Sequence, residues 1–462
     1  MQSPAESEVL EFKEAATTYD RDKLIQYCNA IANEKGGHII LGITDKRPRR
    51  ITGSQAFSNP DELNKIKQQI VKELGIRVDA TEIVAPEGRV LVFEIPSRPK
   101  GHPIALNGRY LMRSGESLVA MTPDHLKRIF AEGEVPWFSQ PAREDATADD
   151  IISLLDTQAW FDLLKLTYPT SREGVLERLS GEQLIVKQGG GWTISNLAAI
   201  LLAKKLDAFS GALARKAARV IIYDGPNKLQ TKSERTEGKG YAVGFADLLD
   251  FVHNSSPRNH LVEEAIREDV KMFPKQALRE LIANALIHQD FSEAGTSVMI
   301  EMYDDRIEIS NPGIPSIQVE RFIDEYRSRN EPLASIMRRI GICEEKGSGV
   351  DKVIFAAEVY QLPAPLFRVD SVRTMAVLFA HKDFALMNRE DRIRACYQHC
   401  ALQYVSNRKM SNQSLRERFK LSETKAATVS QIIKDTKDAA LIVADDAETN
   451  SQRYARYIPF WA

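Results

Sequence analysis

The sequence predicts an α+β protein built from several domains, and three observations predict it. Its 462 residues exceed what one core organises; at roughly 100–200 residues per domain, about three or four domains are expected. Runs with helical period alternate with short β-type runs along the whole chain. Polar or glycine-rich stretches, Ser139 to Asp150 and Gly189-Gly-Gly-Trp192, punctuate those blocks without any fixed-period repeat.

Charge narrows the class further. Lysine and arginine number 62 against 64 acidic residues, a formal charge of −2, which excludes a wholly basic nucleic-acid coat but not one basic face balanced elsewhere. Met1 opens an acidic, polar stretch unlike a signal peptide, and no apolar run approaches the ~18 residues of a membrane span. A soluble, cytoplasmic protein is expected. Four scattered cysteines, Cys28, Cys343, Cys396 and Cys400, read as reduced thiols.

The elements follow in order. Residues 1–138 carry a helix pattern from Asp22 to Asn33, then β-type runs His38 to Ile43, Val90 to Ile95 and Arg109 to Arg113, an α+β arrangement. The linker from Ser139 opens a small helical linker domain over 139–205, with a β wing at Gly189 to Trp192. In 206–385, strand Arg219 to Tyr223 is followed by helices through Asp247 to Val252 and Val262 to Asp269. From Pro274 to about His381 the order is helix, hairpin, helix, strand, the pattern of an α/β sandwich. Residues 386–462 are helical until Leu441-Ile-Val443 and end in the aromatic run Tyr457 to Trp461, as in a C-terminal winged helix.

The chemistry concentrates between Pro274 and Phe291. Leu278, Leu281, Ile282, Ala285 and Leu286 form one helical stripe, while Glu280, Asn284 and His288 recur every fourth residue on another face. A carboxylate there could orient or deprotonate a water, and an amide oxygen could help hold Mg²⁺ against nucleotide phosphates. The alternative is a solvated helix face. Downstream, a hairpin Val298 to Ile309 leads into Ser310-Asn-Pro-Gly313, and the loop Glu344 to Val350 precedes a helix. Gly347 and Gly349 would let backbone N–H groups approach phosphate oxygens at that helix start.

The segments ALRELIANALIHQDF, DRIEISNPG, SRNEPLA and EEKGSGVDKVI, in this order over about 80 residues, resemble the GHKL ATPase family, in its branch with a RecG-like C-terminal ATP-binding domain. The resemblance implies ATP and Mg²⁺ as cofactors and an ATPase activity of that type. It makes Glu280 the water-activating residue and Asn284 the Mg²⁺ ligand. It places His288, Asp290, Asn311 and Gly313 around the nucleotide, the last two at the adenine, and Lys346, Gly347, Ser348 and Gly349 on the phosphates. Most of the wider family has aspartate where Asn311 stands; an asparagine oxygen still accepts a hydrogen bond. Nucleotide binding without turnover, or a scaffold with a vestigial site, is compatible with the same motifs. No Gly-x4-Gly-Lys-[Ser/Thr] loop exists in the chain, so no motor of that kind is expected.

At the other end, Glu6-Ser-Glu-Val-Leu-Glu11-Phe-Lys13, AIANEKGGHIILGITDK and Tyr110 to Gly115 resemble the Schlafen AlbA domain over about 120 residues. That resemblance implies contact with DNA or RNA, with Lys13, Lys46, Arg47, Arg49, Arg50 and Arg113 as candidate phosphate partners. Some Schlafen relatives are metal-dependent ribonucleases, and Glu6, Glu11 and Asp45 have the types and order for that chemistry; pairing of Glu11 with Lys13 is the plainer reading.

Between Asn388 and Ala462, 13 basic residues face 9 acidic ones. The expected second helix of the winged helix carries Lys425 and Lys434 toward a major groove, although such folds also serve as dimer contacts. Together these readings describe an ATP-responsive, nucleic-acid-binding regulator, of a composite type that resembles transcription regulators and antiviral-defence components, forming a dimer by family habit. The rival is an ATP-gated nuclease.

Overall fold

In a computed structural model of the chain, described for residues 7–46, 48–133, 135–209, 211–259, 270–343, 349–445 and 455–462, the backbone forms two compact units, 1–135 and 136–462. The expected helix at Val262 to Asp269, and the site residues Glu6, Arg47, Lys346, Gly347 and Ser348, lie outside the described residues.

The first unit is a four-stranded sheet in the order Leu10–Lys13, Gly37–Leu41, Gly88–Ile95, Asp79–Ala85. Its first pair is parallel and the others antiparallel. Helix Arg21–Asn33 starts at Asp20, whose side chain accepts from the Lys23 N–H, and buries Leu24, Ile25, Cys28 and Ile31 against the sheet. It must stop before Gly36, which sits at φ +86° beneath the Ile95 carbonyl, where an added Cβ would lie 2.7 Å away. Buried Asn29 and Asn33 bond backbone at Ile104 and Leu111, fixing the Arg109–Ser114 strand beside this helix.

The second unit holds a six-stranded sheet in the order Thr231–Thr236, Arg219–Tyr223, Met299–Met302, Arg306–Pro312, Arg373–Phe379, Leu366–Val369. Only Arg219–Tyr223 and Met299–Met302 run parallel within it. Helices Tyr241–Ser255, Lys275–His288 and Gly349–Val359 bury apolar residues in the core above this sheet.

The structure departs from the expected divisions. Pro141–Ala146 is not a linker but a strand, paired antiparallel with Gly191–Ser195; its polar side chains face solvent, so composition concealed it. Nor does the 139–205 segment have a core of its own. Phe138, Trp160, Leu179 and the wholly buried helix Asn196–Leu202 join Phe245, Leu278 and Ile300 in one continuous hydrophobic cluster. Beyond residue 386, helices Arg389–Val405, Asn412–Arg418 and Ala426–Asp438 precede a two-stranded sheet, Ile442–Ala444 with Tyr457–Pro459. Among the described residues no helix is long and apolar enough to cross a membrane.

Candidate functional site

One turn of helix separates Glu280, Asn284 and His288, and all three line a cavity of about 450 Å³. Leu278, Ile282 and Leu286 on the same helix point into the core. The floor is the strand Arg306–Pro312, which contributes Ile309 and Asn311, with Thr374 and Ala376 from the neighbouring strand. Gly349, the first residue of its helix, closes the polar end. A Cβ added there would lie 3.0 Å from Glu280 Oε2 and 3.6 Å from Asn284 Nδ2, so a larger side chain at this position would crowd the pair.

The Glu280 side chain is almost wholly buried, yet among the described residues its Oε1 accepts no hydrogen bond, and Arg279 Nη1 stands 3.6 Å away. Burial raises the carboxyl above the usual range, against the pull of Arg279 and Lys352. His288 is pushed down to about 4 by burial, with the Arg329 charge adding, so at neutral pH its ring is uncharged. Asn311 donates from Nδ2 to the Pro312 carbonyl at 3.1 Å, which leaves its side-chain oxygen as an acceptor.

Two expected ligand contacts are corrected. Asp290 is not on the cavity wall. Its carboxylate accepts from the Ser292 N–H at 2.9 Å and hydroxyl at 2.5 Å and pairs with Arg329 at 2.5 Å. Burial would raise its pKa, but the Ser292 bonds, then Arg329 and Lys216, bring it below the usual range. It therefore acts behind the wall, orienting Arg329, which does line the cavity. Gly313 likewise shapes backbone rather than lining the cavity: at φ +102°, its N–H donates to the Val372 carbonyl, and an added Cβ would come within 2.9 Å of Asp290 Cβ.

Sequence spacing missed the opposite wall, where Phe322, Glu325, Tyr326, Arg327 and Cys343 line the cavity. Burial pushes the Cys343 thiol up to about 11. The Ser328-Arg-Asn330 motif held the signal. Buried Asn330 donates to the carbonyls of Ile287 at 2.6 Å and Gln289 at 2.7 Å, fastening this wall to the end of the Lys275–His288 helix.

In the first unit the expected residues are arranged differently. Glu11 and Arg113 are both essentially inaccessible and pair at 2.5 Å, while Lys13 Nζ meets the other Glu11 oxygen at 2.6 Å and Asp45 at 3.4 Å. Arg113 is thus not a phosphate partner, because its guanidinium is sealed against Glu11 and the Ser7 carbonyl. Both Glu11 oxygens face cations, which is a poor set for ligating a metal, and Asp45 caps the Glu14 N–H at 2.9 Å. Among the described residues no three acidic, histidine or cysteine side chains converge as a metal cluster. Arg49 is half-buried over the Phe12 ring at 4.2 Å and donates to the Asp45 carbonyl, whereas Lys46 and Arg50 are exposed. Lys425 and Lys434 are also exposed, at the start and along the outer face of the Ala426–Asp438 helix.

Comparison with known families agrees with this layout. Residues 6–122 match the family model described as "Schlafen, AlbA_2", and residues 295–378 match "Putative ATP-dependent DNA helicase recG C-terminal". The chain thus joins a Schlafen AlbA-type domain to a RecG-like ATPase-type domain. The second match includes Asn311, Gly313 and Gly349 but begins after Glu280 and Asn284. No curated protein matches the chain. Among solved structures, the DIP2311 protein from Corynebacterium diphtheriae is 19% identical, over 98% of this chain and 92% of that one, with a TM-score of 0.44. The N-terminal domain of a "Putative ATP-dependent DNA Helicase RecG-related Protein" from Nitrosomonas europaea is 19% identical, over 22% of this chain and 72% of that one, with a TM-score of 0.19.

Proposed function

We propose that the chain binds ATP with Mg²⁺ in the cavity beside the Lys275–His288 helix, and that occupancy of this cavity governs how the protein engages DNA or RNA. The observation that carries the reading is the convergence of Glu280, Asn284 and Gly349, 69 residues apart along the chain at the extremes, on one cavity end. The donor set fits the ligand. Asn284 offers an amide oxygen for a hard cation, Gly349 opens a helix whose first N–H groups suit phosphate oxygens, and Asn311 offers an acceptor for an exocyclic amine. Bound Mg²⁺ would supply charge neutralisation at the phosphates. Glu280, with one buried oxygen unpartnered and a raised pKa, is suited to take a proton from an attacking water.

Nucleic-acid engagement is assigned to the AlbA-type unit, through exposed Lys46 and Arg50, and to the 386–462 segment as a winged helix using Lys425 and Lys434. A homodimer fits this arrangement, as does a role in transcription regulation or antiviral defence. The test is retention of labelled RNA, single-stranded DNA and duplex DNA, with and without ATP and Mg²⁺. A change in affinity of about fivefold or more is expected; identical retention of every probe in both conditions contradicts the switch.

A further inference from the structure

The wall missed by sequence reading has two sides. Phe322, Glu325 and Tyr326 face the cavity, while Glu320, Arg321 and Ile323 of the same segment face away from it, toward the Arg389–Val405 helix and Trp461. Ile323 clusters with Ala401 and Leu402, and the same cluster takes in Val350 and Ile354 from the helix opened by Gly349. Phe322, Phe367 and Trp461 pack at its edge. Two borders of the cavity, the 318–328 wall and the helix behind Gly349, therefore share one apolar seam with the segment beyond residue 386.

Polar contacts fix the register of that seam. Trp461 Nε1 donates to the Tyr397 hydroxyl at 3.1 Å, and that hydroxyl donates to the Glu320 carbonyl. The Arg321 guanidinium lies 5.5 Å from the centre of the Trp461 ring and pairs with Asp324 and, at 2.9 Å, with Glu325, a cavity-lining carboxylate. The path from Trp461 to the cavity is two side chains long. A packed aromatic and a charge-assisted bond set the position of a wall more sharply than backbone connectivity alone.

We propose that Trp461, acting through Arg321, and Tyr397, acting through the Glu320 carbonyl, are positioning residues of the cavity, holding the 318–328 wall where a nucleotide meets it. This rests on the nucleotide reading of the cavity. It gives the segment beyond 386 a share in ligand affinity and, by linkage, makes that segment's stability depend on ligand.

The test titrates the full chain with a nonhydrolysable ATP analogue and Mg²⁺, comparing wild type with Trp461→Ala, Trp461→Phe, Arg321→Ala and Ile432→Ala. Ile432 lies in the core of the last three helices, a cluster that reaches Tyr397 but includes no residue of the 318–328 wall and not Trp461. Trp461→Ala is expected to weaken binding about fivefold or more, with Arg321→Ala weaker in the same direction and Trp461→Phe partly restored. Ile432→Ala should bind like wild type, and hydrogen exchange of the 318–328 amides should quicken in Trp461→Ala and Arg321→Ala but not in Ile432→Ala. Arg321 is partly exposed, so its variant folds whether or not Trp461→Ala does. If wild type binds and the Trp461 and Arg321 variants bind equally well, the positioning role is wrong while the nucleotide site stands. Equal weakening by Ile432→Ala also overturns it, as does a wild type that binds no nucleotide, which removes the reading beneath it.

Discussion

Glu11 and Glu280 are both buried glutamates, the second expected at a nucleotide site and the first either in a nuclease site or, more plainly, paired with Lys13, and both have a basic residue nearby in sequence. Around Glu11 the fold brings Arg113 to 2.5 Å and Lys13 to 2.6 Å, one cation for each oxygen. Around Glu280 it brings Arg279 only to 3.6 Å and opens a cavity roofed by a glycine. The same side chain is a strut in one unit and an unfinished contact in the other. Burial alone does not separate the two; the close ion pairs at one and the cavity at the other do.

The sharpest way to break that comparison is to remove the carboxylate from each. Glu11→Ala leaves the buried Arg113 without a carboxylate and Lys13 with Asp45 alone, and denaturant unfolding should show a loss of about 3–5 kcal/mol from the first unit. An unchanged midpoint would mean the strut is ornamental. Glu280→Gln should leave the second unit's midpoint unchanged or higher, because burial disfavours the charged form, while ATP turnover measured by phosphate release falls about a hundredfold. With a folded pKa above the unfolded one, Glu280 adds stability at acid pH that is lost as pH rises through the folded value; the glutamine variant should lack that slope.

Smaller effects sharpen the comparison. Asn284→Ala should lower nucleotide affinity about tenfold with Mg²⁺ and little in a chelator, since only the metal-dependent part is removed. Lys46→Glu with Arg50→Glu should weaken nucleic-acid retention and reduce its salt slope by about 2, leaving nucleotide affinity alone. Asp351, at the start of the helix behind Gly349, is raised to about 6, chiefly by burial. Its contribution to stability is complete below about 4 and lost as pH rises through about 6, so Asp351→Asn should flatten thermal stability across that window and raise Tm by ~2 °C at pH 7.

What was legible in the sequence was local. The four-residue recurrence of Glu280, Asn284 and His288 could be read from helical period, and the Met299–Met302 and Arg306–Pro312 hairpin from alternation. Gly349 was legible as a glycine before a helix, though its closeness to Glu280 Oε2 appears only in the fold. Partners that meet across long separations were not. Arg113 reads as a basic residue on a strand until the fold sets it against Glu11. Asp290 reads as a ligand until Arg329 and Ser292 occupy it. The 139–205 segment looked separable because the Asn196–Leu202 helix, apolar on every side, gives no sign of which core it enters.

The central claim is that Gly349, Glu280 and Asn284 bound one nucleotide pocket, and calorimetric titration of ATP with Mg²⁺ into wild type and Gly349→Trp addresses it most directly. Saturable binding by wild type, reduced at least about tenfold in a variant of unchanged thermal stability, is the predicted result. Equal affinity in the two proteins would contradict it.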